Sequence, residues 1–145
     1  MPNTIYLDMD GTFVDLYGFD GWLGYLIKED TRPYVNAKPL INLSLLARYL
    51  NKAQNRGYRI GIISWTSKNG SRTYNEAVAI AKRLWLAYHL PSVQWDEIHI
   101  IDYGTPKSTC RKGADILFDD EEKNLNEWGI GAITASKMLE TLKNL

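Results

Sequence analysis

The chain has 145 residues, of which 45% are apolar and 23% charged, as in an ordinary globular domain. Its 17 lysine and arginine residues balance its 17 aspartate and glutamate residues, so no overall charge attracts it to nucleic acid or to a membrane. The single cysteine, Cys110, excludes an internal disulfide and favours a reducing, cytoplasmic location. We find no signal peptide and no apolar run of about 18 residues, and we predict one soluble domain over residues 1–145.

Strand-like and helix-like spacings of apolar residues alternate along the chain. Strands are predicted over residues 4–7, 58–64, 97–102, 114–118 and 129–133. Helices are predicted over residues 19–29, 40–56, 71–88, 121–128 and 135–145. We therefore predict an α/β fold, a Rossmann-like three-layer sandwich whose mostly parallel sheet of about five strands has helices on both faces.

Two segments carry more detailed expectations. Residues 13–39 form a short insertion after the first strand, and its prolines predict a loop over residues 31–39. In the helix over residues 71–88, Thr73 and Glu76 have the spacing of a capping box. The apolar residues of that helix predict an inner stripe of Ala77, Ile80, Ala81, Leu84 and Tyr88.

Two carboxylates follow the first predicted strand. Asp8 and Asp10 are two residues apart, so in an extended chain their side chains point to the same side. Two unit charges about 4 Å apart repel by roughly 4 kcal/mol at an effective dielectric near 20. The pair therefore requires a shared proton or a metal ion, and oxygen ligands suit a hard ion such as Mg²⁺. Gly11 lets the backbone turn sharply directly after the pair.

The later strands of the predicted sheet are also followed by polar residues. Ser64 follows the second strand, Lys107 the third, and Asp119 and Asp120 the fourth. The carboxyl ends of parallel strands lie along one edge of a sheet, so we expect these side chains to share one cleft with the first acid pair. Such a set suits phosphoryl transfer. Lys112 is the other candidate for the lysine of the cleft. We favour Lys107 because it comes directly after the third strand.

The order of these motifs resembles that of the haloacid dehalogenase-like (HAD) hydrolases. Residues 8–12, Asp-Met-Asp-Gly-Thr, resemble the family's first motif, Asp-x-Asp-Gly-Thr. Ser64, Lys107 and the pair Asp119-Asp120 are similar to its second, third and fourth motifs. The match spans nearly the whole chain. Within the family, the chain looks like small phage-type and nucleotidase-like phosphatases with a minimal cap.

The resemblance implies chemical roles. Asp8 would be the nucleophile that forms an aspartyl-phosphate, and Asp10 would be the general acid and then the general base. Ser64, Trp65 and Lys107 would hold the phosphoryl oxygens. An anionic carboxylate approaches a phosphate dianion only when cations offset the repulsion, which agrees with these roles.

The resemblance also implies a Mg²⁺ cofactor and a small cap. The metal ligands would come from Asp8, from Asp10 through its carbonyl oxygen, and from Asp119 or Asp120, with the choice between the last two left open. Residues 13–39 would form the cap or flap. A cap of this size leaves the cleft open to a large substrate, or to a small one that a neighbouring subunit covers.

We expect a Mg²⁺-dependent phosphatase that hydrolyses a phosphomonoester, either a nucleotide or a related small phosphate. Four aromatic residues could stack on a base: Trp22, Tyr25, Tyr34 and Trp65. A polynucleotide end-phosphatase is the alternative enzyme, although the neutral charge does not favour nucleic acid. We expect no membrane partner, and the sequence carries no signal for the oligomeric state.

Two alternatives without turnover stay open. Signal-receiver domains also gather acids, a hydroxyl and a lysine at strand ends, and they act as phospho-switches. Their phospho-accepting aspartate follows the third strand, where Asp102 lies in this chain, but the other acids fit that order poorly. A catalytically silent binding module is the second alternative, because an intact set of motifs does not prove turnover.

Overall fold

The computed structural model describes residues 3–145 and has a parallel β-sheet at its centre. The strands are β1 (Thr4–Leu7), β2 (Val14–Asp15), β3 (Lys38–Pro39), β4 (Arg59–Trp65), β5 (Glu97–Ile101), β6 (Ile116–Asp119) and β7 (Ala132–Thr134). Five of them form the parallel sheet in the order β5-β4-β1-β6-β7, while β2 and β3 form a small antiparallel ribbon. The predicted α/β fold is confirmed, and the first strand lies at the centre of the sheet.

Helices cover both faces of the sheet. They are α1 (Trp22–Ile27), α2 (Arg32–Asn36), α3 (Leu43–Asn55), α4 (Arg72–His89), α5 (Glu122–Trp128) and α6 (Met138–Lys143), with 3₁₀ turns at Lys107–Cys110 and Ala135–Lys137. Because successive side chains of a strand point to opposite faces, Ile5 and Leu7 pack with residues of α3, α4 and α6, whereas Tyr6 packs with Trp128 of α5. Within residues 3–145, no helix has the length and apolar character that a membrane crossing requires.

The insertion between β1 and α3 contains more regular structure than the sequence indicates. The loop predicted over residues 31–39 is wrong, because α2 and β3 occupy most of it. Pro33 lies in the first turn of α2, where its missing N–H breaks no helical hydrogen bond. The Trp85 indole of α4 donates a hydrogen bond of 2.8 Å to the Ala37 carbonyl oxygen, which fixes the end of the insertion to the body of the protein.

The inner face of α4 differs from the predicted stripe. Ala81 is buried as predicted, but Ile80, Leu84 and Tyr88 are 60%, 62% and 82% exposed. The buried residues of α4 are Tyr74, Val78, Ala81, Lys82, Trp85 and Leu86. Both sets have helical spacing, and burial of the two large aromatic rings in the second set removes more apolar surface from water.

Ser71 caps the N-terminus of α4, so the capping box predicted from Thr73 and Glu76 is wrong. Ser71 Oγ accepts a hydrogen bond of 3.1 Å from the Tyr74 N–H and donates one of 2.7 Å to the Glu29 carboxylate. Since Glu29 belongs to the insertion, this cap also connects the insertion to α4.

Candidate active site

The polar residues predicted at the strand ends come together at one edge of the sheet. β1 pairs with β4 on one side and with β6 on the other, and all three strands run in the same direction. Asp8 and Asp10 follow β1, Ser64 lies near the end of β4, and Asp119 is the last residue of β6. The carboxyl ends of the three central strands therefore present these side chains to one cleft.

Lys107 lies between two of the acids. Its ammonium donates hydrogen bonds of 2.8 Å to Asp8 Oδ1 and of 2.7 Å to Asp119 Oδ2, and the side chain is 1% exposed. Burial opposes the charge of this lysine, but the two carboxylates outweigh it and raise the pKa of Lys107 to about 12. Thr12 Oγ1 donates a further hydrogen bond, of 3.0 Å, to Asp8 Oδ2. Both oxygens of Asp8 are therefore held in a defined orientation.

Three carboxylates form a cluster in the cleft. Asp8, Asp119 and Asp120 each offer an oxygen atom within 4.8 Å of the others. Loss of hydration within the cluster, followed by the charge of Asp8, raises the pKa of Asp119 and raises that of Asp120 to about 8, although the outer part of the Asp120 side chain is exposed. Asp119 is fully buried and accepts hydrogen bonds from the Glu121 N–H and the Asn124 amide, whereas Asp120 is exposed. Asp119 is thus anchored to the start of α5, and Asp120 is the more accessible acid.

A second buried lysine, which the sequence analysis missed, lies on the other side of the cleft. Lys82 of α4 is 2% exposed. Its ammonium donates three hydrogen bonds of 2.7 Å each, to Asp10 Oδ2, Ser64 Oγ and the Trp65 carbonyl oxygen. The ring of Tyr34 lies over it, with the ring centre 5.3 Å from Nζ. All three N–H donors of the ammonium are therefore used.

Asp10 has different surroundings from Asp8. Within the described residues, the carboxylate cluster does not include Asp10. Burial raises the pKa of Asp10, while the charge of Lys82 acts in the opposite direction. A sequence signal for Lys82 exists, because it lies four residues after Val78 and three before Trp85, on one face of a helix.

The charges of the site fit a divalent cation. Asp8, Asp10, Asp119 and Asp120 carry four negative charges when ionised, and the two buried lysines carry two positive charges, which leaves two negative charges in excess. Carboxylate oxygens are the ligands that Mg²⁺ prefers. Such an ion would be held by the cluster, and the side chain of Asp10 is instead paired with Lys82.

Gly11 brings the backbone close to the carboxylate cluster. Its φ is +82°, a left-handed conformation that glycine adopts without strain. A Cβ atom at this position would collide with the Asp120 carboxylate. Glycine is therefore required for both conformation and space.

A cleft of about 460 Å³ opens beside the acids. Its walls include aromatic and aliphatic side chains of the insertion and of the segments after β4 and β5, among them Tyr17, Trp22, Leu26, Tyr34, Trp65 and Tyr103. The Trp65 indole is fixed by a hydrogen bond of 2.9 Å to the Thr105 carbonyl oxygen. The buried hydroxyl of Thr66, which also lines the cleft, has no hydrogen-bond partner within residues 3–145. The cleft thus combines flat apolar surfaces with the polar groups at the strand ends.

Three residues considered in the sequence analysis lie away from this arrangement. Tyr25 is not part of the cleft wall and packs against Phe19, with ring centres 5.9 Å apart, so it is not placed to stack on a base in the cleft. Lys112 donates a hydrogen bond of 3.1 Å to Glu97. Asp102 is exposed and follows β5, a strand at the edge of the sheet.

Comparison with known proteins gives a likeness in fold. No protein-family model matches the chain. No curated protein sequence matches it either. The chain is similar to the crystal structure of D,D-heptose 1,7-bisphosphate phosphatase from Burkholderia thailandensis, with a TM-score of 0.60 and 14% sequence identity over 98% of this chain and 97% of that chain. This likeness shows a shared α/β fold over essentially the whole of both chains, and that fold agrees with the HAD-like order of the motifs.

Proposed function

We propose that this protein is a Mg²⁺-dependent phosphatase of the HAD type, which hydrolyses a phosphomonoester through an aspartyl-phosphate on Asp8. The observation that carries the proposal is the convergence of the predicted acids, hydroxyl and lysine at the carboxyl ends of three neighbouring strands. The fold shared with a solved phosphatase supports it.

In the first half of the proposed reaction, an Asp8 oxygen attacks phosphorus, and the bond from phosphorus to the leaving oxygen breaks. Asp10 gives its proton to that oxygen, so that a neutral alcohol departs. Lys107 uses two of its three donors on Asp8 and Asp119, which leaves one for a phosphoryl oxygen. Ser64 and Trp65 border the same space.

In the second half, the ionised Asp10 takes a proton from water. The water oxygen attacks phosphorus and breaks its bond to Asp8, so inorganic phosphate is released and both acids return to their starting states. Mg²⁺ would be held by the Asp8, Asp119 and Asp120 carboxylates and by the Asp10 carbonyl oxygen that the first motif implies. When bound, it offsets the negative charge of the carboxylates and the phosphate.

We further propose a nucleotide or related aromatic phosphate as the substrate. Trp22, Tyr34 and Trp65 offer ring surfaces beside the acids, and stacking on such rings contributes about 1–3 kcal/mol per base. The wall of the cleft carries both Lys68 and Glu29 rather than a basic groove that would follow a polynucleotide backbone. The insertion, which supplies much of this wall, would act as a small cap.

Two observations argue against the phospho-switch. Counted along the chain, the five strands of the main sheet have the order 3-2-1-4-5, whereas signal-receiver domains have the order 2-1-3-4-5. In addition, Asp102 lies at the sheet edge and not in the carboxylate cluster. In this chain the acid pair Asp8 and Asp10 follows the central strand of the sheet, and this arrangement favours turnover at Asp8.

The proposal is tested by hydrolysis of an aryl phosphate with Mg²⁺ and with a chelator, for the wild type and for Asp8→Asn. We expect multiple turnover only for the wild type with Mg²⁺, because Asp8→Asn keeps the size of the side chain but removes the nucleophile. Turnover that survives Asp8→Asn would contradict the mechanism. A single phosphorylation without turnover would favour the phospho-switch. Mononucleotides, sugar phosphates and phosphorylated oligonucleotides then separate the substrate classes.

A further inference from the structure

We propose that Lys82 is a positioning residue, which aims the Asp10 carboxyl at the leaving group and the Ser64 hydroxyl at the transferred phosphoryl group. The inference rests on the proposed phosphatase function. It concerns a residue of α4 that lies outside all four motifs.

Lys82 is enclosed and does not reach the substrate space. Its side chain is 2% exposed, and it is absent from the wall of the cleft. Each of its three N–H groups donates to a protein oxygen at 2.7 Å, and the ring of Tyr34 lies over it. No donor is left for a phosphoryl oxygen, so Lys82 acts through the groups that it holds.

The hydrogen bonds of Lys82 determine what its partners can do. An ammonium has no lone pair, so the Ser64 oxygen accepts from Lys82 and the Ser64 hydrogen must point to another acceptor. Ser64 is one of the residues that line the cleft, where a phosphoryl oxygen would be that acceptor. Asp10 Oδ2 is occupied by Lys82, which leaves Oδ1 as the oxygen that exchanges a proton with the leaving group.

A buried ammonium is costly to desolvate, and the other buried residues on this face of α4 are mainly apolar. Lys82 joins α4 to the end of β4, through the Trp65 carbonyl oxygen, and to the acid motif after β1. Three hydrogen bonds between three elements fix the direction of the Asp10 carboxyl more firmly than one bond to a surface group could.

The test compares two phosphate esters whose leaving groups differ in their need for a proton. An alkyl phosphate needs the proton from Asp10, whereas nitrophenyl phosphate releases a stable anion without it. For Lys82→Met we expect kcat/KM for the alkyl ester to fall by about 100-fold or more, which is the usual size of a general-acid contribution. The fall in kcat/KM for the aryl ester should be at least about tenfold smaller than that. The exposed Lys137→Met is the matched control and should leave both values unchanged.

The aryl ester provides a second readout of the same variant. Dephosphorylation also needs Asp10, so Lys82→Met should lower kcat for the aryl ester and produce a burst of nitrophenolate as phosphorylated enzyme accumulates. A parallel loss of kcat/KM for both esters, without a burst, would show that Lys82 does not position the Asp10 carboxyl and would overturn the inference. A wild type that turns over neither ester overturns the proposed function itself, and the role of Lys82 with it.

A double variant keeps the test decisive if Lys82→Met does not fold. Adding Asp10→Asn removes the carboxylate that Lys82→Met leaves buried without a cation. We expect Lys82→Met/Asp10→Asn to unfold at higher urea than Lys82→Met. It should hydrolyse the alkyl ester only slightly more slowly than Asp10→Asn, because the contact with Ser64 is the one functional contact still lost. A further large loss of activity in the double variant would show that Lys82 does not act through Asp10, and would overturn the inference.

Discussion

The two acids of the first motif are two residues apart, yet their surroundings differ. Asp8 shares its side of the cleft with Asp119 and Asp120, and Lys107 reaches it from the 3₁₀ turn before β6. On the other side, Asp10 belongs to no such carboxylate cluster among residues 3–145, and its lysine comes from the middle of α4.

This difference separates the roles of two identical side chains. A carboxylate among other carboxylates requires a cation, and with Mg²⁺ and Lys107 beside it, Asp8 can approach a phosphate. A buried carboxyl held by a single ammonium can keep or release a proton in a fixed direction, as a general acid and base must. The fold thus gives the proposed nucleophile and the proposed proton carrier separate lysines.

Loss of the lysine on the Asp8 side should have the largest effect on stability. Without metal, Lys107→Met leaves the buried Asp8 and Asp119 without a cation, so we expect the free energy of unfolding to fall by about 3–5 kcal/mol in urea titrations. The control is Lys112→Met, whose ammonium is largely exposed beside Glu97, and it should cost less than about 1 kcal/mol. Equal losses for the two variants would contradict the pairing described for Asp8.

Metal binding should depend on the Asp8 side alone. Mg²⁺ at about 100 times its dissociation constant should stabilise the wild type by about 2.7 kcal/mol. Asp120→Asn removes a ligand from the cluster and should weaken Mg²⁺ binding in calorimetric titrations, whereas Asp10→Asn, which leaves the cluster intact, should affect it much less. A stronger effect of Asp10→Asn than of Asp120→Asn would show that the metal binds beside the Asp10 side chain, and would contradict this prediction.

Gly11 tests the space around the same cluster. Gly11→Ala should cost at least about 1–2 kcal/mol, because φ is +82° and the new Cβ collides with the Asp120 carboxylate. Gly24→Ala in α1 is the matched control, since a Cβ there meets no atom within 4 Å and alanine favours a helix. Thermal unfolding of both variants measures the contrast, and a neutral Gly11→Ala would contradict the close approach.

The stability of the metal-free protein should also depend on pH. The folded pKa of Asp120, about 8, lies above the ordinary value of about 4 in an unfolded chain. The folded state therefore binds more protons between these values, and its stability should fall as pH rises from about 4 to about 8. Urea titrations across that range measure the slope. Asp120→Asn should flatten it, and an unchanged slope in that variant would assign the dependence to another group.

The sequence was sufficient for the sheet and for the strand-end residues. Short β-branched runs that end on polar side chains have one favourable placement in a parallel sheet, so β1 begins and ends as predicted. Asp8 contacts Lys107 directly, and Asp10 is linked to Ser64 through Lys82. The register of the strands, which brings Asp119 rather than Asp120 under Lys107, depends on tertiary packing and could not be predicted from spacing.

The sequence was insufficient where one helix offers two apolar stripes. The prediction for α4 chose the stripe through Ile80 and Leu84, and the protein buries the one through Val78 and Trp85. That choice left Lys82 on the expected outer face. A lysine within a buried stripe is a recognisable signal only after the stripe is known, so the positioning lysine was missed for the same reason as the helix face.

The measurement that tests the central claim most directly is the location of the phosphorylated side chain. The wild type and Asp10→Asn are mixed with nitrophenyl phosphate and Mg²⁺, quenched, reduced with borohydride and digested. This treatment converts an aspartyl-phosphate to homoserine, which is located by mass spectrometry. We predict homoserine at position 8, with more of it in Asp10→Asn because water attack is slowed. Reduction at position 10 or 102, or no reduced residue during continued turnover, would contradict the assignment of Asp8 as the nucleophile.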